Sequence, residues 1–168
     1  MRCAVQSASE PTASAYASLG AALFASERWE DAVQAFESAT ALRPADAGTW
    51  GNLGSAGRWI PGQEARAREA LEHAVALMKE RLDRNPVDAE GWVVLAGWLE
   101  SLGRRAEAGD ALARWEAIEP HDVRSMALAG VTCMGMGRRE EGLRRLREAL
   151  SRGYSVKRAQ ARARVAKA

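Results

Sequence analysis

The sequence predicts an all-α fold assembled from stacked repeats, and three observations carry that prediction. The stretch TWGNLGSAGRW, Thr49 to Trp59, contains a Trp50-x-x-Leu53-Gly54 core. The same pattern stands 34 residues earlier as Tyr16, Leu19 and Gly20. Self-similarity at such a period marks a supersecondary unit that buries its apolar face only by stacking on its neighbours. The spacing is helical: Tyr16, Leu19 and Gly20 fall at i, i+3, i+4, and Ala32, Phe36 and Ala39 at i, i+4, i+7, so each set forms one face. Composition agrees, because Ala, Leu, Glu and Arg dominate while Pro numbers only 5. At 168 residues the chain suits one domain with a real core.

Taken in order, residues 1–10 (MRCAVQSASE) show no helical stripe and are expected to be disordered, ahead of a repeat domain over 11–154. Pro11 and Thr12 can open a helix, with proline early and a hydroxyl at the cap. The first unit, about 13–45, runs from Tyr16 through Ala39 and closes at Pro44. The second, about 46–87, repeats it with Trp50, Leu53 and Gly54. Its closing proline, Pro86, comes 42 residues after Pro44 instead of 34. One added residue falls in the turn RWIPG, Arg58 to Gly62, since Ala67 stands one place late. The other seven lengthen the second helix, whose stripe continues through Leu71, Val75, Met78 and Leu82. Two extra turns add about 10 Å, and that helix is expected to project past its neighbours. The third unit, about 88–121, returns to register with Trp92, Leu95, Ala96, Ala108, Leu112, Trp115 and Pro120. The fourth, about 122–154, is the most degenerate: Met126, Ala129, Gly130, Gly142, Leu146 and Ala149, with Tyr154 in place of proline. Residues 155–168 read as a basic C-terminal helix or tail that caps the last unit.

Gly20, Gly54 and Gly130 occupy one repeat position in the middle of a helix, and Ala96 fills the fourth. A mid-helix glycine costs roughly 1 kcal/mol relative to alanine. Recurrence at one site points to close approach of the paired helix. Trp50 and Trp92 are expected to lie buried between helices, and Cys133 to sit in the core as a small hydrophobe.

These large–Leu–Gly, Ala–aromatic–Ala and closing-proline positions resemble the tetratricopeptide repeat (TPR). The resemblance implies a right-handed α-solenoid of about four helix–turn–helix units, with the second helix of unit two elongated. The segment WGNLGSAGRWIPGQEARAREALEHAVALMKERLDRNPVDA is similar to TPR regions of bacterial signalling proteins, notably Ser/Thr protein kinases. There too an RW-x-PG turn precedes an over-long helix. The stretches SLGRRAEA, MGRREEGLRRLREAL and RGYS fit the same pattern, and the likeness runs from about Ala13 to Ser155. It implies a non-catalytic scaffold or regulatory module, with a protein or peptide partner bound in a concave groove formed by the first helix of each unit. Repeat position maps that groove to Ser14, Ala17, Ser18 and Ala21; then Gly51, Asn52, Ser55 and Trp59; then Glu90, Val93, Val94 and Gly97; then Arg124, Ala127, Leu128 and Val131. Of the Lys/Arg/Asn clamp with which some TPR domains hold a C-terminal carboxylate, only Asn52 is in place, so chaperone-tail recognition is not expected.

No catalytic constellation emerges. Gly135-Met136-Gly137 lacks a third glycine and any Gly-Lys-Ser/Thr, and stands where a unit must turn. His73 and His121 lack metal-pair spacing. Glu140 and Glu141 decorate a solvated face. Cys3 and Cys133 form neither a disulfide framework nor a metal site, which suits a reducing compartment. The longest uncharged run, Pro11 to Ser26, is too short and polar to span a bilayer, and no apolar leader core follows Arg2. The expectation is a cytoplasmic protein that is no enzyme and takes no cofactor, metal or membrane. Charge leaves an alternative open. Residues 1–137 carry 13 basic and 19 acidic side chains, whereas 138–168 carry 11 and 3. That basic segment could bind nucleic acid or an acidic partner, although it shows no recognised motif and Tyr154 is its one aromatic. A solvated last helix is the blander reading.

Overall fold

The computed structural model describes residues 12–118 and 122–154. The expected disordered start, Pro11, Pro120, His121 and the segment 155–168 lie outside them. Among the described residues the secondary structure is eight helices and no strand. They are α1 (Ala13–Ala25), α2 (Trp29–Leu42), α3 (Ala47–Gly57), α4 (Glu64–Arg84), α5 (Ala89–Ser101), α6 (Arg105–Glu116), α7 (Val123–Gly135) and α8 (Arg139–Ser151).

Each helix begins and ends on a signal that recurs with the repeat. The first helices of the four units are capped by Thr12, Asp46, Asp88 and Asp122, whose side chains accept from backbone N–H groups of the first turn. Burial works against the Asp122 charge, but N–H donors from Ser125 and Arg124 outweigh it and hold the carboxyl below its usual range. The second helices have no side-chain cap. Three of them start after a tight closure in which the N–H of Arg28, Arg104 or Arg138 reaches back to the carbonyl of Leu23, Leu99 or Cys133 at 2.8–3.0 Å. Each of those arginines pairs with the acid three residues on: Asp31, Glu107 or Glu141. The closure needs a residue at positive φ. Gly103 and Gly137 supply it at 77° and 85°, and Gly62 at 83° in the lengthened turn. Gly135-Met136-Gly137 is thus part of a turn, as its place in the repeat implied.

Each first helix packs on the second helix of its own unit, and successive units join through α2 with α3, α4 with α5, and α5 with α7. One core runs from α3 to α8, and a smaller one gathers Ala32, Val33, Phe36, Ala56 and Ile60 near the N-terminal end. The mid-helix glycines sit at the intra-unit crossings. A β-carbon on Gly54 would lie 2.6 Å from Leu71 Cγ and 2.8 Å from the Ala67 carbonyl; on Gly130 it would lie 2.8 Å from Leu146 Cγ. On Gly20 it would meet the Phe36 ring at 2.7 Å.

α4 is 21 residues long, against 14, 12 and 13 for α2, α6 and α8. Its added turns do not stand free. Leu82 is 1% exposed and lies so close to Gly91 that a β-carbon there would come within 2.9 Å of Leu82 Cδ2. Arg81 pairs with Asp88, the cap of α5. The extension seats the start of α5.

Three other expectations need correction. Trp50 and Trp92 are half-buried, because each indole N–H reaches out to donate to a backbone carbonyl, Pro44 or Pro86, at 2.8 Å. Leu19 is 50% exposed, whereas Leu95 at the same repeat position is buried: among the described residues no unit stands before α1 to cover it. Arg145, read as part of a solvated face, is 8% exposed. Its guanidinium lies 5.2 Å from the Trp115 ring centre and donates to Glu116 and Glu141.

Candidate peptide-binding surface

The first-helix residues sort by repeat position. At the second position Ser14, Glu90 and Arg124 are exposed, and Arg124 Nη1 bonds Glu90 across two units at 3.1 Å. At the sixth, Ser18 and Asn52 are exposed while Val94 and Leu128 are half-buried. At the ninth, Ala21 and Val131 are exposed, with Ser55 and Gly97 half-covered. The fifth position behaves differently. Ala17 on the first unit is half-buried, but Gly51, Val93 and Ala127 are buried. Val93 is 0% exposed, so it underlies the surface and lines no groove.

Gly51 shows why. The indole of Trp98, one unit on, rests where a side chain at Gly51 would stand. The indole thereby bridges α5 to α3, and nothing in the spacing of Trp98 singled it out. Thr132 holds the corresponding place beside Gly97, 3.6 Å from where its β-carbon would be.

Where α1 meets α3 the face dips into a depression of about 90 Å³ lined by Ala21, Phe24, Phe36, Asn52 and Ser55. Three of the five were mapped from repeat position; Phe24 and Phe36 form its apolar wall. Asn52 is not a cap, since Asp46 fills that role on α3. Trp59 lies apart from the depression, 62% exposed and stacked on Trp29 with ring centres 5.3 Å apart. Phe24 also meets Trp29 edge-on, with ring centres 5.0 Å apart. Trp59 therefore stands at the turn edge of the face.

Chemically the face is polar but quiet. Burial, then the nearby Glu141, pushes the Cys133 thiol up, the opposite of what a nucleophile needs. His73 lies on α4 with its ring edge-on to Trp50. Among the described residues no three His, Cys, Asp or Glu side chains converge as metal ligands. Among them also, no helix is long and apolar enough to cross a membrane.

Neither a family model nor a curated protein matches the chain. Solved structures do. TTC0263, a thermophilic TPR protein in Thermus thermophilus, is similar with a TM-score of 0.53 at 20% identity, over 92% of this chain and 98% of that one. A crystal structure of MamA is similar at TM-score 0.49 and 25% identity, over 86% and 80%. YrrB, described as a TPR protein with an unusual peptide-binding site, is similar at 0.40 and 18%, over 85% and 87%. The conclusion about architecture rests on the first: the chain folds as an all-α, right-handed TPR solenoid of four helix–turn–helix units.

Proposed function

We propose that the chain is a non-catalytic interaction module that holds a peptide or protein segment along its first-helix face, the concave groove of a TPR solenoid. The observation that carries this reading is the sorting by repeat position. Fifth-position side chains are used up in stacking, while second-, sixth- and ninth-position side chains remain on the surface around the Asn52 depression. A rigid helical scaffold presents such a face at low ordering cost, and an extended or helical segment fits its small, weakly polar side chains. The RW-x-PG turn and long α4, similar to TPR regions of bacterial signalling proteins, support a regulatory setting in the cytoplasm.

The test compares groove with tail. Asn52→Ala combined with Val94→Asp should weaken capture of a partner by about ten-fold or more, while deletion of residues 156–168 should leave affinity at near-physiological salt unchanged. The reverse pattern would transfer the function to the basic segment 138–168, binding nucleic acid or an acidic partner. That alternative has already lost one cation to the core, Arg145.

A further inference from the structure

On the side away from the first-helix face, a cavity of about 540 Å³ opens where unit one meets unit two. Its volume is that of a ligand cleft, typically about 300–1,000 Å³. Val33, Glu37, Trp50, Gly57, Glu69 and Ala70 are among the residues lining it. Two of these explain the space. Gly57 holds the repeat position filled elsewhere by Leu23, Leu99 and Cys133, and Ala70 holds the position that Arg145 fills in unit four.

The junction between units three and four shows what can occupy such a place. There Arg145 is buried, its guanidinium over Trp115 and bonded to Glu116 at 3.0 Å and to Glu141 at 2.8 Å. At the open junction Ala39 and Thr40 replace Trp115 and Glu116, and Arg66 replaces Glu141. The same ingredients nevertheless line the cavity from other positions: the Trp50 indole and the carboxylates of Glu37 and Glu69. Arg66 does not fill it. It lines the cavity and bonds Glu37 at 2.6 Å with its side chain 68% exposed, a solvated pair of small worth whose carboxylate can change partner.

We infer that this cavity receives an arginine side chain from a partner peptide, in the manner of Arg145 at the other junction. A guanidinium suits it on two counts: it lies flat on an indole and offers a planar fork to carboxylates. A lysine ammonium is more strongly hydrated and forms no such fork. The site is independent of the first-helix face and lies on the opposite side of the solenoid.

The test uses the full chain and the probe Ac-Ala-Leu-Arg-Leu-Ala-amide, with its lysine and citrulline counterparts. The Trp50 indole N–H resonance, assigned by Trp50→Phe, reports occupancy. The arginine peptide should shift it saturably, and the other two should bind about ten-fold more weakly or worse, a difference near 1.4 kcal/mol. Glu37→Gln with Glu69→Gln should weaken the arginine peptide by a similar factor. Ala70→Arg should abolish the shift by supplying the plug from within; should that variant lose its helical circular dichroism, the double Gln variant decides. Equal titration by all three peptides, or wild-type binding by a folded Ala70→Arg, overturns the inference. So does a Trp50 shift caused, without peptide, by Arg158→Gln, Arg162→Gln and Arg164→Gln together, which would make the occupant a segment of this chain.

Discussion

Glu27 holds a backbone conformation that the other units give to glycine. Its φ is 61°, in the turn between α1 and α2, where Gly103 and Gly137 stand in units three and four. The left-handed region costs an L-residue about 1–2 kcal/mol, partly offset because glycine frees the unfolded chain. Glu27→Gly should therefore stabilise the protein by about 0.5–1 kcal/mol, read as a raised denaturation midpoint; a lowered midpoint would mean that Glu27 makes a contact worth more than its strain. Glu107 offers a second residue-scale measurement. Arg104, and then Lys79, donate to its carboxylate and hold it down to about 2 from an ordinary 4.5. A carboxyl depressed in the folded state contributes stability above its unfolded pKa, and that contribution fades as pH falls from about 4.5 towards 2. Glu107→Gln should flatten the acid limb of the melting temperature in that window, by a modest amount because the group is half exposed and screened. An unchanged limb would show that the Arg104–Glu107–Lys79 cluster does nothing for stability.

At the scale of the element, α4 distinguishes a packed extension from an idle one. Leu82 in its last turn is buried, so Leu82→Ala should cost about 2–5 kcal/mol in urea unfolding. Leu42, which ends α2, is exposed, and Leu42→Ala should stay within about 0.5 kcal/mol. If both are silent, the added turns do not support α5. Pairing of the second helices follows a related rule. Glu37–Arg66, Glu72–Arg104, Lys79–Glu107 and Glu116–Arg145 link each second helix to the next on the outer side of the stack. Most of these pairs are exposed and set register more than stability; the buried Arg145 is the exception.

For the whole molecule the contrast is between a groove whose mapped charges, Glu90 and Arg124, pair with each other and a C-terminal end dense in arginine. If partners bind in the groove, raising salt from about 50 to 200 mM should change affinity little, since exposed charges are screened over roughly 10 Å. Association rates at low salt should still fall, because long-range attraction steers encounter. Binding through phosphate contacts would instead lose orders of magnitude in affinity over that range. Affinity and on-rate measured separately across the titration decide between the two.

Much of the architecture was legible because its signals are local and repeat. The 34-residue period, the cap at Thr12 and the delayed Pro86 are spaced along the chain itself, and helix register follows from them. The close-approach glycines were legible for the same reason: a costly residue recurring at one position needs a common cause. Other facts depend on what lies beside a residue in the next unit. Leu19 and Leu95 share a position, yet among the described residues only Leu95 has a unit before it. Val93 was mapped to the groove and is covered, because its position is where successive first helices stack. Trp98 over Gly51, Arg145 over Trp115 and the cavity at Ala70 are pairings between units, and a one-dimensional period does not say which side chain fills which gap. Local spacing determined the helices and their order; which surfaces survive stacking, and so could bind, was decided by packing between residues about 30–50 positions apart.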